Sequence, residues 1–298
     1  MRRTVLIVIL IIPTLLFSQR RNRYKYEWTA GIGANNFLGE LGGANQVGTH
    51  GVQDWRWIQT RPAVTVGLRY KNSRYFGYKG ALSFAMLSGS DANTLEPVRH
   101  NRNLSFRSPI LELSLQGEFY FTKEKQGRLY RIKNTRRNKG IDLSAIQAYA
   151  FGGVGLLWFN PQAQYKGAWV NLRPLSTEGE GLPGGPKKYL PITASFPIGL
   201  GAKYTIDKIW SVGLEVGLHL TLSDYLDDVS GKYYDNKAIR DAKGDAAAYL
   251  ADHQLGDTPS QSWTGQDRGH VGHKDAFVFG IINVNYKVLY RKRTRSKF

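Results

Sequence analysis

The stretch "WSVGLEVGLHLTL", Trp210 to Leu222, alternates without a break. Its even positions, Trp210, Val212, Leu214, Val216, Leu218, Leu220 and Leu222, are all large and apolar. Its odd positions, Ser211, Gly213, Glu215, Gly217, His219 and Thr221, are all small or polar. Successive side chains of a β-strand point to opposite faces, so the segment predicts a strand with one wholly apolar face. The second face decides the fold, because it must find a place for a glutamate and a histidine.

The pattern recurs in Tyr24 to Ile32, Val64 to Tyr70, Phe76 to Met86, Leu111 to Phe121, Ile146 to Trp158, Ile192 to Ile206 and Ala276 to Val288. With the opening stretch, that makes eight strands. Most run roughly nine residues or more, the length a tilted strand needs to cross a bilayer. Strands of a soluble sandwich are shorter, about five or six residues. Aromatic residues gather at the segment ends: Tyr24, Tyr26, Trp28, Tyr70, Phe121, Trp158, Tyr204, Trp210, Tyr286 and Tyr290. Interfacial girdles of membrane barrels are built this way. The expected fold is all-β, an eight-stranded antiparallel transmembrane barrel of the outer membrane with long extracellular loops.

The start of the chain agrees with export. Arg2 and Arg3 precede an apolar run from Val5 to Phe17, and Ser18-Gln19 follow. This is the layout of a secretory signal peptide, with a run too short to anchor the chain as a helix. Cleavage after Ser18 divides the chain into a leader, 1–18, a barrel, 19–290, and a basic tail, 291–298. The sequence has no cysteine. Disulfides, thiol catalysis, thiolate-bound metals and a lipid-modified terminal cysteine are thereby excluded.

The connections alternate in length. Asn72-Ser73 and Asp207-Lys208 read as tight turns, whereas 39–61, 88–106, 160–189 and 223–275 are long. Outer-membrane barrels have short periplasmic turns and long outer loops, which puts the N- and C-termini in the periplasm. The link 122–142 is unusually long for that side. The net charge of +18 would ordinarily suggest nucleic acid,. Export and the placement of the charge argue otherwise. From Thr122 to Gly140 the link carries Lys123, Lys125, Arg128, Arg131, Lys133, Arg136, Arg137 and Lys139 against Glu124 alone. Arg20, Arg21, Arg23 and Lys25 open the mature chain, and Arg291, Lys292, Arg293, Arg295 and Lys297 close it. The last outer loop instead holds Asp224, Asp227, Asp228, Asp235, Asp241, Asp245, Asp252, Asp257 and Asp267. Charge of one sign steers association, so the basic link, with Arg291 and Arg293, is the expected contact for an acidic periplasmic protein. Anionic lipid headgroups are the alternative. Neither nucleic acid nor a small-molecule substrate is expected.

An eight-stranded lumen is filled by side chains rather than water, which disfavours a transport pore. Lys25, Glu27, Arg69, Lys79, Glu112, Glu118, Lys203, Glu215, His219 and Lys287 are expected to point into it. Buried charges pair, so these residues predict a structural network. A lipid hydrolase using serine, histidine and an acid is the sharper alternative. Yet Ser211, Glu215 and His219 repeat every four residues along one strand, about 13 Å apart, too far for a relay within it. No GxSxG motif is present. No catalytic residue and no cofactor are expected. The aspartates of "SDYLDDVSGKYYDN" suggest calcium, but the spacing lacks the terminal glutamate of an EF-hand loop. A solvated loop is the expectation, with His253, His270 and His273 facing solvent rather than binding metal.

Three stretches taken together resemble a known family: "NNFLGELGG" after the first strand, "TRPAVTVGLRYKNSRYFGYKGALSFAMLSG" as the first hairpin, and "SDYLDDVSGKYYD" after the seventh strand. They are similar to the PorG family of outer-membrane proteins of the type IX secretion system, found in gliding and protein-secreting bacteria of the Bacteroidetes type. The resemblance covers most of the mature chain, and "YLDDVSGKY" is its most specific part. It implies a non-enzymatic outer-membrane component of the protein secretion and gliding motility machinery. Such a component associates with the periplasmic ring built by the PorK lipoprotein and PorN. The readings left beside it are a surface-recognition or adhesin-like barrel and, behind that, a lipid-modifying barrel enzyme.

Overall fold

The alternating segments all become strands. The computed structural model describes residues 24–39, 41, 59–93, 97–122, 124, 146–255, 264–269 and 274–289. Its strands are β1 (Tyr24–Leu38), β2 (Arg61–Lys71), β3 (Phe76–Ser90), β4 (Ser105–Tyr120), β5 (Ile146–Phe159), β6 (Gln162–Tyr165), β7 (Ala168–Asn171), β8 (Ile192–Thr205), β9 (Trp210–Thr221) and β10 (Ala276–Leu289). Pairing runs β3-β2-β1-β10-β9-β8-β5-β4, and β4 returns to β3. Eight antiparallel strands therefore close into a barrel. Strands β6 and β7 form a small hairpin that branches from β4 through Arg107 and Gln162. Among the described residues, three short α-helices lie in connections: α1 (Pro97–Arg102), α2 (Asn236–Lys243) and α3 (Asp245–Ala251).

Closure leaves the ring without an exposed edge, so every barrel strand is paired on both sides. The outward face is apolar around the whole circumference. Ile32, Val66, Leu115, Leu200, Leu214 and Ile282 are each at least half exposed. A continuous belt of this kind is stable only against lipid. No helix among the described residues is long and apolar enough to cross a membrane. The strands do the crossing, and the molecule is a transmembrane β-barrel.

One end of the barrel carries two tight turns, β2–β3 and β8–β9. The Phe76 N–H donates to Ser73 Oγ over 3.0 Å. The Ile209 and Trp210 N–H groups donate to Asp207 Oδ1 over 2.7 and 2.6 Å. An aromatic girdle marks this turn end, with Trp210 against Tyr286 and Phe76 against Phe119, each pair 5.1 Å apart. Strands β1 and β10 have their outer termini here, and β4 finishes here. The long connections gather at the opposite end, which we term the cap.

Strands β1, β3 and β4 run past the sequence pattern toward the cap. Phe37 pairs with Phe277 and Ser88 with Arg107 in continuous ladders. There the polarity turns inside out: Phe37, Leu87, Phe106, Ile110, Phe277 and Phe279 point inward and form one buried cluster. The outward alternation fades because the apolar side chains have changed faces. At the other extreme, a register shift between Tyr24 and Tyr26 turns Tyr24 inward and leaves Lys25 exposed. A bulge of this kind adds one residue and inverts the parity beyond it. Lys25 is thus not a lumen residue, and Tyr24 is not part of the girdle, contrary to the strict alternation.

Candidate functional site: a filled lumen and a plugged mouth

The inner face of β9 answers the question its sequence poses. Glu215 and His219 do not meet each other; each joins a different layer of the lumen. Glu215 belongs to a hub around Arg69. The Arg69 Nε donates to Glu118 Oε1 over 2.8 Å, and Nη1 donates to Glu27 Oε1 and Asn285 Oδ1 over 2.5 and 3.2 Å. Its Nη2 donates to Glu215 Oε1 and Tyr149 Oη over 3.0 and 3.3 Å. All five guanidinium donors are thereby used, a fork geometry lysine could not supply. Lys203 reaches Glu27 over 2.9 Å, and Lys79 reaches Glu215 over 2.5 Å. The Tyr149 hydroxyl donates to Glu215 over 2.6 Å. Its ring fits because β8 offers Gly201, where a Cβ would sit 2.3 Å from Tyr149 Cζ.

The next layer holds His219. Its Nδ1 lies 2.9 Å from Glu112 Oε2, and Ser195 Oγ donates to Glu112 Oε1 over 2.5 Å. The serine that might have served a hydrolase therefore comes from β8, not from β9. Serine and histidine both bond the same carboxylate, whereas a relay needs the hydroxyl on the imidazole. Phe277 stacks on the His219 ring at 4.9 Å and Phe279 meets it edge-on at 4.7 Å. Beside these layers, a cavity of about 20 Å³ lies between Lys79, Glu215 and His219. That is room for about one water.

The cap closes the rest. Leu226 and Val229, from the loop after β9, pack into the apolar cluster with Phe37, Phe106 and Phe159. Above them, Arg268 donates to the Asp228 carbonyl oxygen over 2.7 Å and to Glu178 over 3.1 Å. Glu178 also accepts the Ser230 and Gly231 N–H groups over 3.0 and 2.9 Å. The Thr177 hydroxyl donates to Asp228 Oδ2 over 2.6 Å, and the Tyr189 hydroxyl donates to Oδ1. Asp224, Asp227 and Asp228 are all buried, so "SDYLDDVSGKYYDN" is a plug and not the solvated loop its composition suggests. Among the described residues, no three acidic or histidine side chains come together as metal ligands do. Burial, reinforced by Glu180 and opposed by Arg268, Thr177 and Tyr189, pushes the Asp228 carboxyl up to about 7.

Of the ten residues expected in the lumen, nine are there and Lys25 is not. His253 is half-buried and stacks on Tyr249 at 5.0 Å rather than facing solvent, again because the cap packs as a unit. Burial lowers its affinity for a proton. His270 and His273 lie outside the described residues. So do the leader and the expected contacts Lys123, Lys125, Arg128, Arg131, Lys133, Arg136, Arg137, Lys139, Arg291 and Arg293. Glu124 is described, and it folds back into the barrel. Its Oε1 lies 2.6 Å from Lys287 Nζ, and Oε2 accepts from Lys71 and from the Tyr24 hydroxyl. Lys71 is a lumen residue beyond those expected, although it shares the parity of Arg69. Arg268 and Glu178 are equally unexpected, since their contact across 90 residues leaves no local trace.

Fold and lumen together define a class, the integral outer-membrane β-barrel with a solid interior. No family model matches the chain, and no curated protein matches it. Three solved barrels are similar in outline. They are the attachment invasion locus protein Ail of Yersinia pestis (8% identity, 89% of this chain and 99% of that one, TM-score 0.35), Neisserial surface protein A (8%, 91% and 100%, 0.35) and the N-terminal barrel domain of Pseudomonas aeruginosa OprF (8%, 88% and 98%, 0.33). Likeness at this level bears on neither function nor partners.

Proposed function

We propose that this barrel is a non-conducting, non-enzymatic outer-membrane component of the type IX secretion and gliding machinery. In this reading it anchors a periplasmic ring of the PorK/PorN type through its basic elements. The observation that carries the proposal is the filled lumen. A barrel occupied by the Arg69 hub, the Glu112 layer and the Leu226 plug offers surfaces rather than passage. The turn end is then the periplasmic one. From it depart the link 122–142, with Lys123 to Lys139, and the tail with Arg291 and Arg293. The assignment of the ring rests on that charge and on the resemblance to PorG.

The test is a mild-detergent purification of the tagged protein from native outer membranes, with mass spectrometry of what accompanies it. A ring lipoprotein and its periplasmic partner should co-purify, and neutralising the basic residues from Lys123 to Lys139 should abolish this. Recovery of the barrel alone at low salt would overturn the ring assignment. A surface-recognition role is the second reading, favoured by the cap's own buried clusters around Leu172 and Ile239. Trimming the cap would then abolish function while the link variants retain it.

A further inference from the structure

The lumen balances its charge only by borrowing from outside the strands. Among the described lumen residues, Arg69, Lys71, Lys79, Lys203 and Lys287 are cations, and the strands supply Glu27, Glu112, Glu118 and Glu215 against them. Against these five cations the missing carboxylate is Glu124, which stands beyond the end of β4. Two buried lysines converge on it: Lys287 at 2.6 Å, and Lys71, which also contacts the Tyr24 hydroxyl at 2.9 Å and Gln147 Oε1 at 3.2 Å. The Tyr24 ring lies 5.2 Å from Lys71 Nζ and 5.4 Å from Lys287 Nζ, so it walls the site. Burial penalises the Glu124 carboxylate, but Lys203, Lys71 and Lys287 outweigh that and hold its proton affinity well below the usual range. The group sits there as an anion.

What separates Glu124 from the other four carboxylates is its mounting. Those sit on paired strands and cannot leave without breaking the barrel. Glu124 is on a connection, so it can withdraw while every ladder stays intact. Withdrawal would leave two buried ammonium groups without a counter-charge, a strongly unfavourable state unless another anion enters. We propose that Lys71, Lys287 and the Tyr24 hydroxyl form a carboxylate-binding site at the turn-end mouth. Glu124 occupies it in the free protein, and an acidic segment of a docking protein takes its place. The identity of the competitor rests on the proposed periplasmic partner; the site itself does not.

The experiment uses the full chain refolded in detergent, as wild type and as Glu124→Ala, in sodium acetate or sodium chloride at equal ionic strength. The variant should melt lower in chloride, and acetate should restore it saturably while leaving the wild type unchanged. A hexaglutamate peptide should bind the variant more tightly than the wild type by roughly tenfold or more, because tethered Glu124 competes at an effective concentration of about millimolar. Equal melting in acetate and chloride, or equal peptide affinity for both chains, would overturn the proposal. If Glu124→Ala refolds only in acetate, that is itself the expected rescue. If it refolds in neither, Glu124→Gln is measured in the same way, and absence of rescue there also counts against the site. Acetate rescue combined with loss of the ring from native purifications would sink the ring assignment and leave the site standing.

Discussion

Arg69 shows how one side chain can organise a barrel interior. It is fully buried and touches three carboxylates from three different strands. Removing one member of a buried ionic network strands the others in a low dielectric, which typically costs about 3–5 kcal/mol. Arg69→Met should therefore lower the unfolding free energy of the barrel by that order, read as a lower urea midpoint of the heat-modifiable band on gels. Pairing it with Glu118→Gln should recover part of the loss, since one orphaned charge is then gone. Equal losses in the single and double variants would mean that Glu118 does not depend on Arg69. Ser195 and His219 illustrate the opposite lesson. Residue types that suggest catalysis share a carboxylate here because a lumen must satisfy every buried polar group.

At the scale of the element, the loop after β9 is the notable structure. Its two apolar side chains, Leu226 and Val229, seal the barrel, and its three aspartates are turned into a hydrogen-bonded bracket. Asp228 sits at positive φ (65°) under Thr177 and Tyr189. Its carboxyl is raised to about 7 from an unfolded value of about 3.9,. The folded plug therefore holds a proton that the open loop gives up. Its stability should be greatest below about pH 4 and should fall as pH rises through about 7, by up to about 1.4 kcal/mol per pH unit. Hydrogen exchange of the Leu226–Gly231 amides between these limits is the measurement. Asp228→Asn should flatten the slope. Protection that increases with pH would show that another group governs the plug.

At the scale of the whole molecule, closure and filling together set what the barrel can do. Eight strands enclose just enough space for side chains. Here that space holds an ionic layer toward the turn end and an aromatic layer toward the cap, with little left over. Planar bilayers containing the purified protein should show no stepwise current above the protein-free baseline. Steady ohmic steps would mean that the plug opens and the interior is not solid in a membrane.

The sequence by itself determined the transmembrane barrel. Alternation is a local signal, written at a period of two and repeated eight times, and lipid enforces it on every outward residue. It also determined which side chains enter the lumen, since parity carries that information wherever the ladder is regular. Only the tertiary structure decided who pairs with whom. The sequence says that Glu215 and His219 face inward, but not that Glu215 meets Arg69 across 146 residues or that His219 meets Glu112 across 107. The bulge that expels Lys25, the plug after β9 and the return of Glu124 to the mouth were likewise hidden. Each depends on contacts between segments far apart in the chain, where neither periodicity nor composition leaves a mark. Burying a charge forces it to find a partner; where that partner lies is set by how the strands close around it.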